Sequence, residues 1–148
     1  MTETNSIQLS DDERDELLGN GGTGVISFST ATDEYPYALP VSYGYDQAEG
    51  TFYFRLTEGE KTKEELHRRL TSFVTYREID DTWQSVVAVG QLQETTEDEI
   101  ATRTLQGLER VSIPYVDIFG MPMGDVEFTF YLLDPAEITG RKEQPTDY

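Results

Sequence analysis

An antiparallel β-barrel with flanking helices is the fold this sequence predicts, on three observations. About six stretches alternate side chains between two faces with the period-two pattern of half-buried strands. Most of the joins between them are of hairpin length, as at Asp46–Gly50 and Asp80-Asp81. Helical patterns are inserted between only some of the strands. With no internal repeat, residues 1–148 read as a single domain, with loose ends expected over 1–8 and 142–148.

Taken in order, Met1–Gln8 is a lead-in and Ser10-Asp11-Asp12-Glu13 is a capping box. Leu17 and Leu18 supply the apolar contacts of a short helix, and Gly19 can end it in the left-handed conformation. Residues Gly19-Asn20-Gly21-Gly22-Thr23-Gly24 spell G-x-G-x-x-G. The dinucleotide fingerprint needs a strand before that motif and a helix after it. Here the order is reversed, so the segment reads as a flexible connection into a first strand, Val25–Thr30.

The second strand is the clearest. Tyr35, Tyr37, Leu39, Val41, Tyr43 and Tyr45 share one face. Pro36, Ala38, Pro40, Ser42 and Gly44 share the other, where small residues let a flat ligand approach the backbone closely. The third strand, from Thr51, sets Phe52, Phe54 and Leu56 against Tyr53, Arg55 and Thr57. It turns through Glu58-Gly59-Glu60 into a helix carrying Leu66 and Leu70 on one side. Ser72–Glu78 and Trp83–Gln93 follow as strands, with Gly90 marking a bulge or barrel corner. Thr96-Glu97-Asp98-Glu99 caps a second long helix, with Ile100, Thr104, Leu105, Leu108 and Val111 on one face. Residues 112–125 are loop-like, and Val126–Leu133 is the last strand, stopped by Asp134-Pro135.

The formal net charge is −18, and only Lys61, Lys63 and Lys142 among the 11 basic residues are lysines. Acids are spread along the chain, yet a hydrophobic fraction of 36% still permits a core. Such a surface suits a halophilic cytoplasm, where salt screens self-repulsion. It also makes nucleic acid and anionic membranes poor partners. With no cysteine there is neither disulfide, thiolate nucleophile nor cysteine-bound zinc. The start MTETNSIQLS lacks a basic region followed by an apolar run, and no segment approaches a membrane span, so a soluble cytoplasmic protein is expected.

Protein-borne chemistry is sparse. Asp80-Asp81 and Glu97-Asp98-Glu99 lack EF-hand spacing and read as solvated acids, so no metal site is expected. The sole histidine, His67, sits among Glu64, Glu65, Arg68 and Arg69 on a polar helix face, with no G-x-S-x-G elbow elsewhere. Paired carboxylates for sugar hydrolysis stay open, since acids this abundant carry no information. If the protein is an enzyme, a cofactor should carry the reaction. A cationic cluster, Arg55, Lys61 and Lys63 with Thr57 and Thr62, stands where the third strand enters its helix. A helix N-terminus offers unpaired N–H groups to an anion, so a phosphate fits there. A capping box, Thr62-Lys63-Glu64-Glu65, explains Thr62 equally well without a ligand.

Four segments in this order and spacing resemble the pyridoxamine 5′-phosphate oxidase-like family of FMN-binding split β-barrels. They are YPYALPVSYGYD, TFYFRLTEGEKTKEEL, WQSVVAVGQLQETTEDE and FTFYLLDPAEITGRK. The resemblance spans roughly Leu9 to Arg141 and is nearest to small archaeal and bacterial, nitroimidazole-reductase-like members. It implies a six-stranded antiparallel split β-barrel and a homodimer with FMN in the inter-subunit clefts. By resemblance, Pro40, Val41 and Ser42 line the isoalloxazine ring. Arg55, Leu56 and Thr57 lie at the ribityl-phosphate end, Lys61 clasps the phosphate with Thr62 beside it, and Ser85 is a polar flavin contact with Trp83 nearby. Two features depart from the family pattern. Glu60 stands where many relatives have Arg, and Phe54 and Arg55 occupy the neighbourhood of an often-present histidine. A guanidinium at Arg55 can compensate by gripping phosphate bidentately. Basic substrate contacts of the true pyridoxamine phosphate oxidases have no counterpart beyond Arg141-Lys142, so that reaction is not assigned.

The resemblance therefore implies an FMN-dependent oxidoreductase acting on a small organic or nicotinamide substrate, with no protein acid or base identified. The alternatives are a non-catalytic flavin carrier and an acidic barrel without any cofactor.

Overall fold

A computed structural model describes residues 6–57, 69–94, 106–114 and 128–144. The helix expected after Glu60, most of the helix expected from Thr96, and the stretch 115–127 lie outside the described residues. The elements run β1 (Ser6–Gln8), α1 (Asp11–Leu18), β2 (Gly21–Phe28), β3 (Tyr37–Asp46), β4 (Thr51–Thr57), β5 (Leu70–Ile79), β6 (Thr82–Glu94), β7 (Phe128–Leu133) and β8 (Glu137–Glu143).

Six of the strands close an antiparallel barrel in the cyclic order β6-β5-β2-β3-β4-β7, with β7 returning to β6. Closure depends on the length of β6. One edge pairs with β5 from Thr82 to Gln91. The other edge pairs with β8 over Gln84–Val89, then with β7 over Leu92–Glu94. Gly90 marks the change of partner. A Cβ there would meet Leu133 Cδ1 at 3.0 Å and the Asp134 carbonyl oxygen at 3.2 Å, where the chain crosses from β7 to β8. The ladder with β5 continues unbroken through the Thr71↔Gly90 pair, so Gly90 is the corner and not a bulge.

Three sequence expectations are corrected. The glycine run is not a flexible connection, because Gly21–Gly24 open β2 and pair with Val41–Gly44. A Cβ on Gly24 would stand 2.7 Å from the Phe73 ring, so packing, not looseness, selects glycine there. The expected loose ends are partly ordered against each other, with Ser6–Gln8 paired to Arg141–Glu143. Finally, β8 is a strand that the sequence reading lacked altogether.

Inside the barrel, Phe52, Phe54 and Phe73 form an aromatic cluster with ring centroids 5.0–6.2 Å apart, joined by Tyr43. Offset and tilted rings at such spacings add to the burial of apolar area. The capping box of α1 is formed, with Glu13 N–H donating to Ser10 Oγ at 3.2 Å and Ser10 N–H to Glu13 Oε1 at 3.1 Å. Gly19 ends the helix at φ 56°, ψ −142°, a glycine-only conformation but not the left-handed helical one expected. Leu17 and Leu18 enter the core, and the Tyr43 hydroxyl donates to the Leu18 carbonyl at 2.9 Å. Among the described residues, no helix is long and apolar enough to cross a membrane.

Candidate functional site

Register determines which predicted residues share a face. Ile26, Val41, Phe73 and Val86 point into the core, so residues one step along their strands point outward. Pro40 pairs with Val25, Val25 with Val74, Val74 with Val87, and Val87 with Thr139. This makes one continuous outer row across five strands. A flanking row runs Ala38, Ser27, Ser72, Val89 and Glu137. On the other side lie Ser42 opposite Thr23, and Tyr76, Ser85 and Arg141 opposite one another. Across these rows only Glu137 and Arg141 carry charge, and both are on β8 at the margin.

The middle of the face is apolar as well as uncharged, with Glu78 opposite Trp83 at its edge. Val25 and Val87 remain 39% and 37% exposed, and Tyr76 is paired with Trp83 at 5.8 Å beside them, also exposed. An exposed apolar patch set with hydroxyls, in a chain of net charge −18, marks an interaction surface.

Of the predicted site residues, Pro40, Ser42 and Ser85 lie on this same face, the first two on β3 and Ser85 three strands away on β6. Val41 and Leu56 are buried in the core, so only their backbone can face a ligand. Arg55 and Ser42 each lie one step beyond the Tyr43↔Phe54 pair, which brings the guanidinium's strand alongside the face. Arg55 is half-buried, and its Nη2 donates to the Pro114 carbonyl at 2.8 Å. Thr57 is the last residue of β4, its backbone opposite Phe128. Lys61 and Thr62 lie outside the described residues, as does His67.

The sequence reading missed Asp46 and Arg110. Arg110 donates from Nε to Asp46 Oδ1 at 2.9 Å and from Nη2 to Oδ2 at 2.6 Å. That fork, together with the backbone N–H of Ala48, holds the Asp46 carboxyl below the usual carboxylate range. Burial pushes the Tyr43 and Tyr45 hydroxyls up. These perturbed groups hold the fold together, since Tyr43 anchors α1 and Asp46 anchors Arg110. The outer face is suited to binding a flat, partly apolar molecule through shape and hydroxyl contacts.

A closed six-stranded antiparallel barrel, extended at one edge by β8 and β1, places the protein among the split β-barrels. The family model described as pyridoxamine 5′-phosphate oxidase matches residues 10–142, and the chain belongs to that family. A Corynebacterium glutamicum protein provisionally assigned as a pyridoxamine 5′-phosphate oxidase superposes with a TM-score of 0.69 and 22% identity, covering 100% of both chains. An FAD-binding protein from Mycobacterium smegmatis gives a TM-score of 0.69 at 18% identity, covering 95% of this chain and 100% of the other. A Bacteroides thetaiotaomicron protein provisionally assigned to 5-nitroimidazole antibiotic resistance gives 0.59 at 15%, covering 93% and 87%. At these identities the likeness is one of fold. No functionally curated protein matches the chain.

Proposed function

We propose that this protein binds FMN against the uncharged outer face, in clefts between the two copies of a homodimer, and serves as a flavin-dependent oxidoreductase. The observation that supports the reading is the shared outer face of Pro40, Ser42 and Ser85, which flank the row Val25, Val74 and Val87 with little charge between them. The donor set fits the cofactor. Apolar side chains suit the ring system, the Ser42 and Ser85 hydroxyls can reach its polar edge, and Arg55 supplies a charged fork for phosphate. Thr57, Lys61 and Thr62 complete the phosphate end in this reading, with the backbone of Val41 and Leu56 alongside. The scarcity of charge matters because an acid at the middle of this face would repel both the phosphate and a second copy of an acidic chain.

Bound flavin supplies the redox chemistry, taking up a hydride and passing electrons on to a small organic acceptor or oxygen. The chain's own residues position the ring, exclude water from one of its faces, and neutralise the phosphate. The substrate class is a small organic or nicotinamide molecule.

The test is the absorption spectrum of protein purified in high salt, followed by titration with FMN and FAD. A colourless preparation that takes up neither flavin sinks the reading. Rapid reduction of bound flavin by NADH or NADPH, then reoxidation by an acceptor, is expected of an oxidoreductase. Flavin bound but never turned over identifies a carrier. The carrier reading draws support from the described face itself, whose rows present mainly hydroxyls and apolar groups, with the Glu137 carboxylate only at the β8 margin.

A further inference from the structure

Residues 110–114 cross the outer side of β3 and β4 as a strap, held by three polar contacts. At one end Arg110 forks onto Asp46, at the end of β3. In the middle the Ser112 N–H donates to the Asn20 carbonyl at 2.9 Å. At the other end the Pro114 carbonyl accepts from Arg55 Nη2 at 2.8 Å. Glycines seat the strap closely. A Cβ on Gly21 would lie 1.6 Å from the Ser112 carbonyl oxygen, and one on Gly44 would lie 2.7 Å from the Val111 side chain. Asp46 is 1% exposed, and a carboxylate so buried is tolerated only when paired and hydrogen-bonded. The Asp46–Arg110 pair therefore has one favourable arrangement, and it fixes the strap's register on the barrel.

We infer that Arg110 and Asp46 are positioning residues for Arg55 and, through it, determine selectivity for a phosphorylated flavin. This rests on the flavin reading above. The linkage is physical at each step. Asp46 fixes Arg110, the glycine seat fixes the path from Arg110 to Pro114, and the Pro114 carbonyl holds one arm of the guanidinium. A guanidinium is a planar fork of five donors, so holding one arm orients the plane of the others. An arginine held this way has already lost much of the rotamer freedom that an anion would otherwise have to remove. The strap borders the uncharged face where Ser42 and Arg55 adjoin, which is where the phosphate end of a ligand on that face would lie.

The experiment compares dissociation constants for FMN and for riboflavin, which lacks the phosphate, by flavin fluorescence titration of the full chain. Arg110→Ala and Asp46→Asn are each expected to weaken FMN roughly tenfold, as for loss of a charge-assisted contact, and to leave riboflavin unchanged. Arg110→Lys should recover part of the loss. In an Arg55→Ala background, Arg110→Ala should have no further effect, because the group it positions is gone. Equal weakening of both flavins would overturn the inference, because a merely structural role lowers both. Full additivity with Arg55→Ala, or unchanged FMN affinity in both single variants, would overturn it as well. If wild type binds neither flavin, the flavin reading fails and takes this inference with it. If wild type binds FMN while Arg110→Ala behaves identically, only the inference fails. Should Arg110→Ala not fold, Asp46→Asn keeps the side-chain volume and decides the matter.

Discussion

Arg55 stands half-buried on the outer edge of β4, one arm on the Pro114 carbonyl, beside a face almost free of charge. If it also meets the cofactor phosphate, Arg55→Ala should weaken FMN binding by about 1–3 kcal/mol, the range for charge-assisted hydrogen bonds. Lys61→Ala should do the same, and unchanged affinity in both variants would remove the phosphate from this end of β4. Asp46 makes a separate prediction through pH. Arg110, then the backbone of Ala48, lower its folded-state pKa below the ordinary 3.8. The depressed pKa means that its stabilising contribution is complete above the ordinary value and is lost as pH falls through the lowered one. The strap over 110–114 should therefore begin to lose its amide-exchange protection, measured relative to the intrinsic rate at each pH, as pH drops below about 4. Asp46→Asn should flatten that part of the profile, and an unaltered profile would show that another carboxylate is responsible. At this scale the sequence was legible where period-two alternation operates. Pro40, Ser42 and Ser85 reach one face because each sits on the outward phase of its strand. Asp46–Arg110 was illegible because the partners lie 64 positions apart and nothing local in either segment points to the other.

Among the elements, the β5–β6 hairpin turns through Asp80 and Asp81, with φ at 52° and 63°. Two left-handed residues make the tight turn whose twist matches the flanking strands, but neither is glycine. Replacing Asp80-Asp81 by Asn-Gly should stabilise the fold by about 0.5–1 kcal/mol in a urea titration, because glycine adopts this conformation without a Cβ penalty. A loss of stability would mean that the aspartates make contacts beyond the turn. The glycine at the start of β2 should behave oppositely. Gly21→Ala collides with the Ser112 backbone at 1.6 Å, so strap or strand must shift, at a cost of about 1–3 kcal/mol or more. These two sites explain why the sequence misjudged the glycine run. A glycine run in a sequence signals flexibility, whereas here the strap and the Phe73 ring require the small size of Gly21 and Gly24. β8 was missed for a related reason. Its sequence EITGRKE alternates weakly, and its strand character comes from pairing with β6 on one side and β1 on the other. The strongly alternating strands β3, β4 and β6 were legible because their inward residues build the core themselves.

For the whole molecule, charge and the uncharged face pull in opposite directions. Two copies of net charge −18 repel at long range, while their outer faces, with Val25 and Val87 exposed, offer apolar area to bury. Long-range repulsion is screened over a Debye length of about 10 Å at 0.1 M salt and about 3 Å at 1 M, whereas burial of apolar surface is not weakened by that screening. The homodimer proposed above should therefore tighten as KCl rises from about 0.1 to about 2 M, and thermal stability should rise with it. Val87→Asp tests the face directly. Val87 is already 37% exposed, so the monomer should still fold, but a carboxylate on the outer row would face a second acidic chain. Light scattering should then report 16.8 kDa in place of twice that mass, and FMN affinity should fall together with the dimer, since each cleft would need both copies. A variant that stays dimeric would place the interface elsewhere on the barrel. A monomer that keeps full FMN affinity would show that a single barrel face suffices to hold the flavin.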